Sequence, residues 1–76
     1  MKDNTLAITY ITKLAGYKSE LDKYRDSDII EYMSWRRMIR NEVEYSYKGI
    51  KALEDPSNAL LIRGIILKWF PFVDLD

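Results

Sequence analysis

Two arginines about one helical turn apart are the residues whose type and spacing could do chemistry. In a helical projection, Arg36 falls inside an otherwise apolar stripe between Tyr32 and Tyr47, and Arg40 lies at the margin of that stripe. A buried guanidinium needs a carboxylate, carbonyl oxygens, an anionic ligand or a route to water, because an unpaired charge in a core costs several kcal/mol. The position of Arg36 therefore indicates either a structural ion pair or a binding site.

Both interpretations of Arg36 stay open at the level of the sequence. In the structural one, its guanidinium pairs with a second subunit or with a carboxylate of the same chain. The candidate carboxylates are Glu20, Asp22 and Glu31. In the functional one, arginines contact a phosphate while aromatic rings stack a base, so that a phosphorylated small ligand or nucleotide binds between subunits. The candidate residues for this site are Arg36, Arg40, Tyr32, Tyr47 and Trp35.

Composition excludes most of the chemistry that small enzymes use. The chain has no His and no Cys, so it lacks the commonest general base, thiolate nucleophiles and cysteine-type zinc sites. The densest carboxylate cluster consists of Asp22, Asp26, Asp28 and Glu31. Its spacing lacks the central Gly and the acidic twelfth position of a calcium loop, and we interpret it as a solvated turn with helix caps. We expect no enzymatic activity, no bound metal and no cofactor.

Charge balance bears on nucleic-acid binding. Twelve Lys and Arg stand against twelve Asp and Glu, and a net charge of zero argues against strong non-specific binding to phosphate backbones. A nucleic-acid-binding regulator remains an alternative, because five basic residues lie along the predicted second helix. They are Arg36, Arg37, Arg40, Lys48 and Lys51. Residues 50–63 resemble the helix junction ahead of the DNA-reading element in small sigma-like phage regulators, although no helix-turn-helix follows them.

Apolar periodicity and breakers predict three helices, over residues 3–24, 27–54 and 56–70. The first has apolar positions spaced alternately by three and four residues: Ala7, Tyr10, Leu14, Tyr17, Leu21 and Tyr24. This spacing continues through Gly16, although Gly16 could instead end one helix before Ser19 starts another. Asp55 and Pro56 suit an N-cap and a first helical residue, and Pro71 ends the last helix. Residues 5–12 could form a strand, but no second strand is available to pair with them.

The fold class we predict is all-α. It is a small antiparallel three-helix bundle with a long central helix. The chain forms a single domain over residues 1–76, with an acidic tail at 74–76. We expect homo-oligomerisation to complete its core. The core stripe of the central helix consists of Ile29, Tyr32, Trp35, Ile39, Val43, Tyr47, Ile50 and Leu53.

The third helix is the main reason to expect self-association. It is apolar on nearly every side, and two neighbouring helices cover only part of such a helix. The candidate interface residues are Leu60, Leu61, Ile62, Ile65, Ile66, Trp69, Phe70 and Phe72. We expect a homo-oligomer, since closed symmetric assemblies are the common result of such surfaces.

The function we predict is that of a non-enzymatic interaction protein, which binds a larger protein of unknown identity and inhibits or organises it. A phage or other mobile element could encode such an accessory or inhibitor protein. We expect a cytoplasmic protein, because the first residues lack the features of a signal peptide. We also expect no membrane span, because the most apolar run, 59–73, is interrupted by charges and is shorter than the roughly 20 residues required.

Overall fold

Three helices form the part of the chain that the structure, a computed structural model, describes, namely residues 4–75. Helix α1 spans Thr5–Tyr24, α2 spans Ile29–Leu53 and α3 spans Pro56–Trp69. No strand occurs within residues 4–75, so the prediction of an all-α, three-helix fold is confirmed. Helix α1 passes through Gly16 without a break, as its continuous apolar spacing indicates. The predicted start of this helix at residue 3 lies outside the described residues.

Aspartate caps determine where α2 and α3 begin. The backbone of Asp28 is extended, and its Oδ1 accepts a hydrogen bond from the N–H of Glu31 at 3.1 Å. Helix α2 therefore begins at Ile29 and not at residue 27, because the capping residue stands outside the helix. Asp55 acts in the same way, since its Oδ1 accepts the N–H of Asn58 at 3.0 Å and Pro56 follows it. Both starts follow from local hydrogen bonding.

The core lies where the three helices meet, with α1 and α2 running antiparallel. Tyr10 contacts Ser46 and Lys13 contacts Glu42, so residue numbers rise along one helix as they fall along the other. The buried core cluster consists of Ala7, Tyr10, Leu14, Leu21, Ile39, Val43, Tyr47, Ile50, Ile62, Ile66, Phe70 and Val73. Its members on α1 belong to the predicted apolar seam, which packs against the middle of α2.

The two ends of the predicted core stripe on α2 are wrong. Ile29 and Leu53 are exposed, whereas the stripe residues between them are buried or half-buried. The physical reason is length, because α2 has 25 residues while α1 has 20 and α3 has 14. Ile29 and Leu53 are the first and last residues of α2, and the shorter neighbouring helices do not cover them.

Helix α3 divides the predicted interface residues between the core and the surface. Ile62, Ile66 and Phe70 have no exposed area, because they lie on the side of α3 that packs against α1 and α2. They are core residues of the single chain, and this corrects their assignment to an interface. Three further members of the predicted interface, Ile65, Trp69 and Phe72, are half-buried. The other two, Leu60 and Leu61, are exposed.

The segment after α3 folds back along α2. The N–H of Val73 donates to the carbonyl oxygen of Phe70 at 3.1 Å, and the N–H of Asp74 donates to Oε2 of Glu44 at 2.8 Å. Val73 is buried, and Leu75 packs half-buried against the core. This tail is therefore part of the packed structure. Over residues 4–75, no helix is long and apolar enough to cross a membrane.

Candidate binding surface

The arginines of α2 line an open depression together with apolar side chains. Its volume is about 930 Å³, and it lies along the first three turns of α2. The lining residues are Ile29, Ile30, Met33, Ser34, Arg36, Arg37, Arg40 and Phe72. Those on α2 form two adjacent rows with spacings of three and four residues, one from Ile29 and one from Ile30, and therefore share one side of the helix. We call this set the arginine surface.

Arg36 is held by an aromatic ring. Its guanidinium carbon lies 4.7 Å from the centre of the Phe72 ring, a distance typical of a cation–π contact, and the side chain is half-buried. It forms no ion pair with any residue of the described range, including Glu20, Asp22 and Glu31. The guanidinium of Arg36 is therefore stabilised by the Phe72 ring and by partial exposure to water, and not by the carboxylate that the structural interpretation predicts.

The other two arginines carry charge that the fold hardly neutralises. Nε of Arg40 lies 4.0 Å from Oε2 of Glu44, at the outer limit of an ion pair, and that oxygen already accepts the N–H of Asp74. Arg37 is exposed and forms no ion pair within residues 4–75. Within residues 4–75, the three guanidiniums on this side of α2 therefore have one carboxylate within ion-pair distance, that of Glu44. Such an arrangement can bind carboxylate or phosphate groups.

Aromatic residues predicted for a nucleotide site are only partly brought together. Tyr32 lines a smaller depression of about 290 Å³ next to Arg36. Tyr47 is buried and donates its hydroxyl to the carbonyl oxygen of Ala59 at 3.3 Å, three turns away from Arg36. Trp35 is half-buried against the core and lines neither depression. The ring that does meet Arg36 is Phe72, which the sequence analysis places at an interface instead.

Exposed apolar side chains make up the other half of the arginine surface. Ile29 is 66% exposed, Ile30 is 78% exposed and Met33 is 50% exposed. They precede the arginines along α2, so the surface is apolar at the start of the helix and cationic further along. A ligand that covers all of it must offer apolar groups as well as negative charge.

A second exposed apolar surface lies on the outside of α3. Its members, which we call the α3 outer face, are Leu60, Leu61, Gly64, Leu67 and Lys68. Leu60 is 68% exposed and Leu61 is 60% exposed. A Cβ placed on Gly64 would have no neighbour within 4 Å, so the space above the backbone at this point is open.

Two polar contacts join α1 to α2, and the sequence alone predicts neither of them. The hydroxyl of Tyr10 lies 2.7 Å from Oγ of Ser46, and Nζ of Lys13 donates to Oε1 of Glu42. Burial raises the pKa of Tyr10 above its usual value, while the hydrogen bond to Glu42 raises the pKa of Lys13. The first contact joins residues 36 positions apart and the second joins residues 29 positions apart, and no local pattern relates such residues to one another.

The burial of Tyr10 and the hydrogen bond of Lys13 to Glu42 predict a loss of stability at alkaline pH. Because both pKa values are raised by folding, the protons on Tyr10 and Lys13 stabilise the folded chain fully below the unfolded values of 10.0 and 10.5. That stability is lost as pH rises through the higher folded values. We therefore expect the urea midpoint to fall above about pH 10, measured by circular dichroism. In Tyr10→Phe the fall should be shallower, and an equal fall would contradict a contribution from Tyr10.

Two members of the carboxylate cluster near residues 22–31 have structural partners. Asp22 forms ion pairs with Lys18 and Arg25, and Asp28 caps α2. No group of three or more Asp or Glu among the described residues is arranged to hold a metal ion.

Comparison of the chain with known proteins adds no family and no fold relative. No protein-family model, no curated protein and no solved structure matches it.

Proposed function

We propose that this protein is a non-enzymatic interaction module, which binds a larger protein and inhibits or organises it. The observation that carries this proposal is the apolar area that the three helices leave uncovered in two separate places. Its large side chains are Ile29, Ile30 and Met33 on the arginine surface, and Leu60, Leu61 and Leu67 on the α3 outer face. Clustered apolar surface of this kind typically marks a site of protein interaction.

The α3 outer face is the surface that we propose for self-association. Lys68 is its one charged member, so it fits best against a surface that is equally apolar. A second copy of the chain offers such a surface in a two-fold arrangement, in which the same residues meet from both sides. Gly64 supports this assignment, because the open space above it lets a second helix approach closely.

The arginine surface is where we propose that the larger protein binds. Photo-cross-linking in the cells of origin tests this: a photoreactive amino acid at Met33 should form an adduct with one discrete partner protein. The matched control position is Ser19, which is exposed on α1, and there we expect no such adduct. Adducts at Met33 with no protein other than the chain itself would refute binding of a larger protein.

A nucleotide or other phosphorylated small ligand is the second candidate for this surface. The three arginines favour it, because guanidiniums bind phosphate in the same bidentate geometry as carboxylate. Against it stand Tyr47, which is bonded to Ala59, and Trp35, which does not line the arginine surface, so that Tyr32 is the one predicted stacking residue that lines a depression with Arg36. Calorimetry with a panel of nucleotides distinguishes the two candidates, since only a nucleotide site gives heat that Arg36→Ala abolishes.

A further inference from the structure

We infer that the ligand of the arginine surface is an acidic amphipathic segment of a protein. Its carboxylates contact the arginines, and its apolar side chains pack against the two isoleucines and Met33. This inference rests on the proposed function and names the chemistry of the partner. The surface runs from Ile29 to Arg40, which is roughly 16 Å along the helix. About three helical turns of a partner would cover it.

Charge complementarity is the first step of the argument. Arg36, Arg37 and Arg40 have no close carboxylate partner within residues 4–75 beyond the 4.0 Å approach of Glu44. Their charge is therefore available to a ligand, and each guanidinium can hold a carboxylate through two parallel hydrogen bonds. The partner should carry Asp or Glu next to its own apolar residues, at the end that meets the arginines.

The second step is that Arg36 is already positioned. Its guanidinium stacks on Phe72, and the Phe72 ring packs edge-on against the fully buried Phe70 at a distance of 6.0 Å between ring centres. The core thus holds the ring, and the ring holds the guanidinium. Binding loses less side-chain freedom at a residue that is held in this way, while the edge of the guanidinium remains able to donate hydrogen bonds.

The third step distinguishes a protein from a polyphosphate such as nucleic acid. A phosphate backbone would meet the arginines but would leave Ile29, Ile30 and Met33 against a charged, hydrated ligand. An apolar protein side chain can instead bury these residues, and methionine adapts its shape to such a contact.

Selection from a library of random displayed peptides, each long enough for about four helical turns, tests the inference. We expect the protein to enrich peptides that combine Asp or Glu with Leu, Ile or Phe at helical spacing. The test variant is Arg37→Glu, and the matched control is Lys23→Glu, an equal change of charge at an exposed position on α1. Enrichment without an acidic bias, or no enrichment at all, would overturn the inference.

Affinities of one enriched peptide, synthesised with a fluorophore, give the second readout. Arg37→Glu should raise its Kd by at least about tenfold, and Lys23→Glu should leave it nearly unchanged. A DNA duplex and phosphatidylserine vesicles serve as competing probes. If either binds more tightly than the peptide and is equally sensitive to Arg37→Glu, the acidic-segment assignment is wrong.

These results separate the inference from the proposed function. A protein adduct at Met33 together with peptides that lack an acidic bias would refute the inference while the proposed function stands. Acidic peptides that bind as expected, without any adduct in cells, would support the chemistry of the surface and refute a protein partner in vivo.

Discussion

Replacing Phe70 with alanine should lower the free energy of unfolding by about 3–5 kcal/mol. Phe70 has no exposed area and lies at the end of α3, where its ring meets those of Trp69 and Phe72 edge-on. A domain of this size typically has about 4–11 kcal/mol of stability in total, so the variant should lose a large fraction of it. Urea denaturation followed by tryptophan fluorescence and by circular dichroism measures the change.

The matched control for this prediction is Leu53→Ala at the end of α2. Leu53 is exposed and lies outside both proposed binding surfaces, so its truncation should change the unfolding free energy by no more than about 0.5 kcal/mol. If Phe70→Ala cost no more than Leu53→Ala, Phe70 would not lie in the core.

Local sequence signals predicted where the helices lie, but not which side of α3 is buried. Asp55 and Pro56 start α3 through contacts within four residues, so their effect can be recognised from sequence. The apolar residues on the two sides of α3 are chemically alike, and periodicity cannot choose between Ile66 and Leu61. The choice depends on packing against α1 and α2, whose core residues are distant in sequence, and Val73 after Pro71 joins the same core.

The candidate site shows the same limit. Sequence reasoning singled out Arg36 because a charge interrupts an apolar stripe, and that signal is local. The ring that holds it, Phe72, lies 36 residues further along the chain, and its contact exists only because the tail folds back over α2. The exposure of Ile29 cannot be predicted from sequence for a different reason: its helical phase is that of a core residue, but the neighbouring helices end before they reach it.

Introducing glutamate at Leu60 and Leu61 should abolish self-association through the α3 outer face. In a two-fold dimer each substitution occurs on both sides, so four carboxylates would be buried against an apolar surface without partners. We expect the dissociation constant to rise by at least about a hundredfold, which corresponds to roughly 3 kcal/mol. Sedimentation velocity over a range of protein concentrations should show the wild-type chain above the mass of one subunit and the variant at that mass.

Circular dichroism and sedimentation distinguish a loss of the fold from a loss of self-association in this experiment. Because both leucines are exposed in the single chain, the double variant should keep its helical circular dichroism, whereas Ile66→Glu should unfold. Met33→Glu makes a similar change on the arginine surface and should leave the sedimenting mass unaltered. A wild-type chain that sediments as one subunit at every concentration would refute self-association, as would a Leu60 and Leu61 variant that keeps its mass.

Gly64→Ala distinguishes close helix contact from loose apolar association. Within one chain the added methyl group has open space, and alanine stabilises a helix interior by about 1 kcal/mol relative to glycine, so the subunit should become more stable. If a second α3 approaches closely at Gly64, the same methyl group separates the two backbones and weakens the dimer. Opposite effects on subunit stability and on dimer affinity are therefore expected from one substitution, because only the contact between subunits is obstructed.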